Sequence, residues 1–332
     1  MIVDSLFTSV DSTDDDKLFE NLPAKVYPEK LRKLLNKRVN KNASVKDVFE
    51  EVCQFFQDEG LTYKEVTQKD DPMRTLKIGD KMVAIVVEDY SRFNNSILPK
   101  KYVETIHFGW RDKGMRAIWI KKFEWEDLRK RTVLKSLILH ACGKTPRRIF
   151  ARNTYAMEIE SKSLREFFNL SSFYGYRNAS FAACLRDKKT DELLMAMSYG
   201  FPFYGKNKYG ENSVECIRAA SVPCTAVVGG MSKIMKFIVG TFGDKFSKAL
   251  FYTDLAHYNS NSIEKAGYHY DHFAGGASHN VWVKTGAMFM RTPMLHQPIS
   301  YLIRKGEIAA IPDVGNDAFI LDVKEYKESH GW

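Results

Sequence analysis

The sequence predicts a two-domain α/β protein, because of its length, its apolar content and the order of its segments. The chain has 332 residues, which suits two domains of ~100–200 residues each. Apolar residues make up 44% and aromatic residues 13%, which is enough for packed cores and excludes a disordered chain. Segments with strand character alternate along the chain with segments of helical period, as is typical of α/β folds.

Residues 1–28 are predicted to form an acidic flexible arm, because they show little periodicity and are rich in acids. The following segment, 29–42, reverses the sign of the charge, and its leucines fit one side of a short helix. Its cations would contact phosphate groups or form a solvated helix face, and the sequence leaves both interpretations open.

The first domain is predicted over residues 29–146 from an α-β-β-β-α-β-α order of segments. Apolar residues recur at helical spacing from Val45 to Phe56, and Gly60 ends that helix. A tight turn at Gly79-Asp80 joins the second and third strands. The segments that follow the first helix are, in order, strands at 61–67, 73–78 and 82–88, a helix at 99–113, a strand at 115–120 and a helix at 124–140.

The second domain is predicted over residues 150–325, after a short basic linker at 143–148. It is expected to contain several strands and three helices, with a Gly-Gly turn before the helix at 231–242. The other segments are strands at 154–159, 180–185, 193–199, 214–219, 249–254 and 280–284, the last being the final strand, and helices from about 161 and at 259–266.

Charge and cysteine usage indicate the kind of partner and compartment. Lysine and arginine outnumber the acids by 50 to 41, a net charge of +9, which suggests a polyanionic partner. The five cysteines are scattered without a C-x-x-C pair, as expected in a reducing compartment. The N-terminal residues lack the features of a secretory signal, and no apolar run is long enough to cross a bilayer. We therefore expect a cytoplasmic protein without a membrane partner.

Two stretches of the first domain carry a family resemblance: KMVAIVVEDYSRF at 81–93 and KYVETIHFGWRDKGMRAIWIKKFEWED at 101–127. They resemble phage-encoded homing endonucleases of the Vsr-like, PD-(D/E)XK-related kind. The resemblance implies a Vsr-like α/β sandwich, double-stranded DNA as the partner, and the host cell cytoplasm as the location if the protein is phage-encoded.

The same resemblance places other residues where the family has its catalytic groups. Thr75 and Val86 stand at the positions of the Asp and Glu, and Val103 and Ile106 at those of the His and Lys. Mg²⁺-dependent cleavage needs convergent carboxylates, so the resemblance implies a nuclease fold that has lost its metal site. An active Mg²⁺-dependent endonuclease would need displaced groups, for which the candidates are Glu88, Asp89, Glu104 and His107.

Three stretches of the second domain resemble the GNAT acyltransferase fold and, within it, the Mom class of phage DNA-modification proteins. They are SVECIRAASVPCTAVVGGMSKIMKFI at 213–238, ALFYTDLAHYNSNSIEKAGYHY at 249–270 and IRKGEIAAIPDVGNDAFIL at 303–321. The resemblance implies acetyl-CoA or a similar cofactor, whose pyrophosphate would lie at a helix N-terminus. The residues implied are Gly229, Gly230, Ser232 and Lys233, whereas Ala226 and Met231 depart from the GNAT signature.

The Mom resemblance also implies catalytic residues. Arg218, Ser232 and Asp254 match polar residues of its proposed site, while Glu264 stands where a tyrosine is expected. An ion pair between Arg218 and Asp254 across neighbouring strands is an alternative, since buried polar residues usually pair.

An aromatic cluster at 173–176, with Arg177 beside it, fits base stacking and phosphate contacts or an ordinary loop. Taken together, the sequence favours a double-stranded-DNA-binding phage protein derived from a homing endonuclease. Its alternatives are an active nuclease, a Mom-like or GNAT-type DNA-modifying transferase, and a non-enzymatic interaction module of a phage assembly. The predicted DNA contacts are Lys30, Arg32, Lys33, Lys37, Arg38, Arg111, Lys113, Arg129, Arg147 and Arg148.

Overall fold

A computed structural model describes residues 47–67, 73–88, 100–201, 206–210, 212–276, 278–282, 288–289 and 298–332. The acidic arm and the basic segment predicted over residues 1–42 lie outside these residues. So do five of the predicted DNA contacts, Lys30, Arg32, Lys33, Lys37 and Arg38.

The first part of the chain forms a four-stranded sheet in the order β1-β2-β3-β4. Its elements are α1 (Val48–Asp58), β1 (Tyr63–Glu65), β2 (Arg74–Ile78), β3 (Val83–Glu88), α2 (Lys100–Asp112), β4 (Arg116–Lys121), α3 (Lys122–Glu126) and α4 (Leu128–Ala141). The first three strands are antiparallel, whereas β3 and β4 are parallel and therefore need the crossover that contains α2. This order matches the predicted one, except that the last predicted helix is two helices, α3 and α4.

The rest of the chain builds a seven-stranded mixed sheet and smaller elements. They are β5 (Arg147–Phe150), a 3₁₀ turn (Ala151–Asn153), β6 (Thr154–Glu158), α5 (Ser161–Ser171), β7 (Phe181–Asp187), β8 (Leu193–Gly200), α6 (Lys206–Tyr209), β9 (Ser213–Ser221), β10 (Thr225–Val228), α7 (Gly230–Phe242), β11 (Lys248–Asp254), α8 (Asn261–Glu264), β12 (His269–Gly275), β13 (Ser278–Trp282), β14 (Met288–Phe289), α9 (Ile299–Arg304), β15 (Ile308–Pro312), β16 (Gly315–Asp322) and α10 (Val323–Ser329). The large sheet has the order β12-β16-β11-β9-β8-β7-β6.

Two neighbouring strands in the middle of the large sheet separate from each other. β9 and β11 are parallel, but they pair only from Ser213–Lys248 to Glu215–Leu250. Beyond that point β9 stays with β8, through a register shift at Cys216 and Arg218, and β11 stays with β16 to its end at Asp254. Such irregularities bend a strand away from its partner. A gap therefore opens between the second halves of β9 and β11, and we call it the strand gap.

The two parts of the chain share a core. An apolar cluster combines Val86, Val103 and Trp119 of the first part with Leu255 and Ile311 of the second, and we call it the shared apolar cluster. The backbone N–H of Trp119 also donates to the carbonyl of Ala256, at 2.8 Å. All described residues belong to one compact unit, Asn42–Trp332. The boundary predicted at residues 146–150 stays a prediction.

Two predictions about the later part of the chain are wrong. The strand predicted at 280–284 is not the final one, because β14, β15 and β16 follow β13, and β16 lies inside the large sheet. The predicted linker at 143–148 includes the start of β5, which pairs in parallel with β10. None of the helices in the described part of the chain has the length and apolar character that a bilayer span requires.

Candidate active site at the strand gap

The loop after α5 bridges the strand gap. The Tyr174 hydroxyl donates to Oδ2 of Asp254 at 2.5 Å, at the end of β11. On the other side, Nε of Arg218 in β9 donates to the carbonyl of Gly175 at 2.7 Å. The loop is thus attached to both separated strands, by a side chain on one and by its backbone on the other.

Arg218 acts on the loop and not on Asp254. Its guanidinium donates to the carbonyl oxygens of Ile217 at 2.6 Å and Tyr174 at 3.4 Å, in addition to Gly175. It also lies 5.7 Å from the centre of the Tyr174 ring, within the range of a cation–π contact. The alternative of an Arg218–Asp254 ion pair is therefore wrong, and the two residues meet through Tyr174.

His257 connects Asp254 to a carboxylate from the first part of the chain. Its Nδ1 lies 2.7 Å from Oδ2 of Asp254, and its Nε2 lies 3.3 Å from Oε2 of Glu124. The backbone N–H of Ala256 donates to the other Asp254 oxygen at 2.9 Å. The imidazole is 1% exposed and packs on the ring of Phe173, with 4.3 Å between centroids. Tyr174, Asp254, His257 and Glu124 thus form one continuous chain of polar contacts.

The charges in this chain alternate. Burial would lower the pKa of His257, but the Asp254 and Glu124 carboxylates outweigh burial and raise it to about 10. Burial would likewise raise the pKa of both carboxyls, but His257 lowers each below its ordinary value. An imidazolium therefore lies between two carboxylates, and each ring nitrogen carries a proton to donate.

Tyr174 keeps its proton. Burial of the hydroxyl, followed by the charge of Asp254, raises the pKa of Tyr174 well above its ordinary value. The side chain as a whole is 42% exposed, so the ring borders solvent while the hydroxyl points inward. The phenol at the edge of the gap therefore carries its proton and can act as a hydrogen-bond donor.

A second branch of buried charge joins the first at Glu124. Nζ of Lys121 lies 2.8 Å from Oδ1 of Asp313, and the Lys121 backbone N–H contacts Oε2 of Glu124 at 3.3 Å. Glu88 is opposite Lys121 in the β3–β4 register. Its two carboxyl oxygens are buried without a hydrogen-bond partner, and burial raises its pKa to about 8. We call the whole set the charged seam; its members are Glu88, Lys121, Glu124, Asp254, His257 and Asp313.

The predicted cofactor residues lie at the start of α7. Gly229 is the N-cap with a φ of 76°, and a Cβ on Gly230 would lie only 2.9 Å from Val227. The Ser232 hydroxyl donates to the Lys265 carbonyl at 2.9 Å, and the Lys233 amine donates to the carbonyls of Ala151 and Thr154. The first-turn amides of α7 lack intrahelical acceptors, as in any helix, so the backbone is what this turn offers to an anion.

Of the predicted catalytic residues, Arg218 and Asp254 both contact Tyr174. The Ser232 hydroxyl instead donates to the carbonyl of Lys265. Glu264 is exposed at the end of α8. Two buried hydroxyls near the strand gap have no hydrogen-bond partner: that of Ser198, opposite Arg218 in the β8–β9 register, and that of Thr253, next to Asp254. Unpaired buried hydroxyls are costly, so both are available to a polar ligand or water.

The positions that the nuclease resemblance implies are apolar in their surroundings. Thr75 lies opposite Val86 in the β2–β3 register, and Val86 and Val103 are fully buried in the shared apolar cluster. His107 accepts from Nε1 of Trp119 at 3.2 Å, and burial lowers its pKa to about 4. Asp89, the remaining strand-end candidate, lies outside the described residues. No group of three or more metal-ligating side chains occurs within the part of the chain that the structure describes.

Several predicted DNA contacts have acidic partners. Arg111 pairs with Asp317 at 3.2 Å, and Arg147 makes two hydrogen bonds to Glu192, at 2.8 and 2.6 Å. A looser pair joins Arg129 to Asp127, at 4.0 Å, and Lys113 lies over the Trp110 ring, at 4.8 Å. Arg148 is exposed.

Sequence reasoning missed two residues of the site. His257 follows Asp254 by three residues, a spacing that could have marked a local pair. Glu124 is 133 residues from His257, and no local pattern connects them. Tyr174 lies in the aromatic cluster that the sequence analysis assigned to base stacking or to an ordinary loop.

No protein-family model matches the sequence, and no curated protein matches it. Solved structures of acetyltransferases are similar in fold to about half of the chain. An aminoglycoside 6'-acetyltransferase type Ii is 9% identical with a TM-score of 0.31, over 51% of this chain and 97% of that one. A Bacillus subtilis acetyltransferase in complex with CoA is 12% identical with a TM-score of 0.30, over 51% and 97%. An IAA acetyltransferase from Bacillus cereus is 10% identical with a TM-score of 0.27, over 51% and 99%. The likeness concerns the fold alone and carries no activity over to this chain.

Proposed function

We propose that the chain is a GNAT-type group transferase that uses the strand gap as its active site. The observation that carries this proposal is the Tyr174 hydroxyl, which Asp254 holds at 2.5 Å between the separated halves of β9 and β11. A gap between two strands of an otherwise continuous sheet exposes backbone groups to a ligand, and a fixed proton donor is ready beside it.

Tyr174 acts in this proposal as the general acid. A bound acyl thioester would supply the acyl group. As an acceptor amine forms its bond to the acyl carbon and the carbon–sulfur bond breaks, the Tyr174 O–H would turn from Asp254 and give its proton to the departing sulfur. The proton lost from the amine nitrogen restores the phenol, so the transfer needs no further reactant.

Asp254 and Arg218 have supporting roles. The Asp254 carboxylate keeps the proton on Tyr174 until the leaving group takes it, because a second negative charge at the phenol would be repelled. Arg218 holds the backbone of Tyr174 and Gly175 from the opposite strand. Neither residue needs to touch the acyl group.

The residues present fit a cofactor of the acyl-CoA class. The α7 N-terminus begins at a Gly-Gly turn with free amides suited to a pyrophosphate, and the unpartnered hydroxyls of Ser198 and Thr253 lie near the gap. Gly229, Gly230 and Ser232 would hold the phosphates through their backbone N–H groups, because the Ser232 hydroxyl is already bonded. Lys233 would contribute its charge only, since its backbone N–H donates to the Gly229 carbonyl and its amine to the carbonyls of Ala151 and Thr154.

Calorimetric titration of the full chain with acetyl-CoA tests this proposal. We expect saturable binding of one acetyl-CoA per chain, and the same affinity in Tyr174→Phe, because the phenol acts on the leaving group only. Tyr155→Phe is the matched control, since Tyr155 is a partly exposed tyrosine on the edge strand β6. No heat of binding at millimolar acetyl-CoA would refute the proposal.

Double-stranded DNA is the acceptor that we propose, with amino groups of its bases as the reacting class. The net charge of +9 and the exposed Lys113 and Arg148 support this choice. Mass spectrometry of nucleosides after co-expression would reveal a mass increase equal to the acyl group less the hydrogen that it replaces, absent with Tyr174→Phe. If the DNA remains unmodified but other amines are acetylated, the proposed transfer reaction stands and DNA is excluded as its acceptor.

DNA binding without transfer is the second candidate, and it rests on the same exposed cations. It predicts that affinity for double-stranded DNA falls steeply as salt rises, with a smaller salt dependence in the double variant Lys113→Ala/Arg148→Ala. Binding in a retardation assay at low salt, with no dependence on those two residues, would remove them from the interface.

A further inference from the structure

The charged seam brings together side chains that are distant in sequence. Lys121 and Glu124 come from the end of β4 and from α3, whereas Asp254 and His257 come from the end of β11 and the turn after it. His257 contacts one carboxylate from each part. The candidate active site therefore draws on both parts of the chain.

We propose that Glu124 is a positioning residue for this site: acting through His257 and Asp254, it fixes the Tyr174 hydroxyl in the strand gap. The proposal deepens the proposed function and rests on it for the use made of Tyr174. It assigns the first part of the chain a direct role in the site.

The Glu124 side chain is itself held in place. It lies in α3 between Phe123 and Trp125, which are both buried. Its carboxylate is 4% exposed and accepts from the Lys121 backbone N–H. A short helix with buried aromatic anchors on both sides leaves this carboxylate little freedom to move.

Two carboxylates fix the orientation of the His257 imidazole better than a single carboxylate would. With Asp254 alone, a half-turn of the His257 ring about Cβ–Cγ would break one hydrogen bond, because Cδ2 would replace Nδ1; with Glu124 at Nε2 the same turn breaks two. With Glu124 at Nε2 and Asp254 at Nδ1, only the charged ring satisfies both partners, and only while both nitrogens are protonated. Phe173 covers one face of the ring and limits its tilt.

The position of His257 affects Tyr174 through Asp254. Both His257 and Tyr174 bond to the same Asp254 oxygen, Oδ2, while Ala256 holds the other oxygen. The direction of that shared oxygen therefore depends on where His257 lies. The Tyr174 ring is partly exposed; its hydroxyl bond to Asp254 fixes the side chain from one strand, while Arg218 holds the backbone of the loop from the other.

Other charged groups face the seam and have to be counted in any titration. Lys121 and Lys130 act on Glu124, Lys121 and Asp313 act on Asp254, and Asp254 and Glu124 dominate at His257. The Asp254 and Glu124 carboxylates are the groups that keep His257 charged. A substitution can remove the charge of Glu124 while Tyr174 and Asp254 stay unchanged.

Nuclear magnetic resonance of the full chain, with ¹⁵N-histidine and ¹³Cζ-tyrosine labels, tests the proposal. The Tyr174 signal is assigned with Tyr174→Phe, and that of His257 with His257→Gln. In Glu124→Gln we expect His257 to lose a ring proton at a lower pH than in the wild type, and the Tyr174 signal to shift or broaden. Asp112→Asn, an exposed acid on α2, is the matched control and should leave both signals unchanged.

A merely structural role of Glu124 would lower thermal stability and leave both signals as in the wild type, and this result would overturn the proposal. If Glu124→Gln does not fold, Glu124→Asp keeps the charge and withdraws the carboxylate by one methylene. We then expect His257 to stay charged while Tyr174 shifts partway, and an unshifted Tyr174 would overturn the proposal. Neither readout requires acetyl-CoA, so a failure of the proposed transferase function is seen separately, in the titration with acetyl-CoA.

Discussion

The same two parts of the chain meet in two contacts of opposite character. In the shared apolar cluster, Val86 and Val103 pack against Leu255 and Ile311. In the charged seam, Lys121 and Glu124 meet Asp313 and His257. In the seam, Lys121 pairs with Asp313, and His257 pairs with Glu124 and Asp254.

The two contacts should respond differently to change. An apolar contact loses free energy in proportion to the atoms removed. A buried ionic contact is sensitive to the loss of one partner, because the other charge is left without compensation. We infer that the shared apolar cluster stabilises the packing of the two parts of the chain, whereas the charged seam fixes the geometry at the strand gap.

The largest expected effect is in the seam. Lys121→Met removes the ammonium that pairs with Asp313 and that also acts on Glu124 through its charge. We expect a loss of about 3–5 kcal/mol in the free energy of unfolding, measured by urea denaturation. Lys101→Met, an exposed lysine on α2, is the control with an expected effect below about 0.5 kcal/mol. Equal effects of the two variants would contradict the distinction between the contacts.

The next effect depends on pH. The pKa of Glu88 is raised from 4.5 to about 8 in the folded chain, so the folded state binds more protons than the unfolded state between those pH values. Relative to Glu88→Gln, the wild type should therefore lose stability as the pH rises from 4.5 to 8, by on the order of 1 kcal/mol per pH unit. Denaturation curves of both proteins at several pH values measure the difference.

The control for that titration is Glu50→Gln, an exposed acid on α1. A difference between wild type and Glu88→Gln that stays constant across this pH range would show that Glu88 ionises normally. It would then have partners that keep it charged, and the seam would hold one more negative charge than we infer.

A smaller effect is expected in the shared apolar cluster. Val103→Ala removes two methyl groups from a fully buried side chain, which should cost about 2 kcal/mol at every pH. Val228→Ala, at an exposed site on β10, should cost less than about 0.5 kcal/mol. A pH-dependent effect of Val103→Ala would indicate that the two contacts are energetically coupled.

The sequence predicted the local elements better than their assembly. The apolar run of β3 and the helical spacing of apolar residues in α1 are properties of neighbouring residues, so they are visible in the sequence. β15 and β16 were missed because Gly306, Pro312 and Gly315 interrupt their apolar pattern. Arg218 and Asp254 were found through a family resemblance, whereas the link from Glu124 to His257 exists only in three dimensions.

The most direct test of the account is the rate of acyl transfer from acetyl-CoA to double-stranded DNA by wild type and Tyr174→Phe. We predict that the variant binds acetyl-CoA as the wild type does and transfers at least about 100-fold more slowly, the effect typical of losing a general acid. Equal transfer rates in the two proteins would contradict the assignment of Tyr174 as the proton donor at the strand gap.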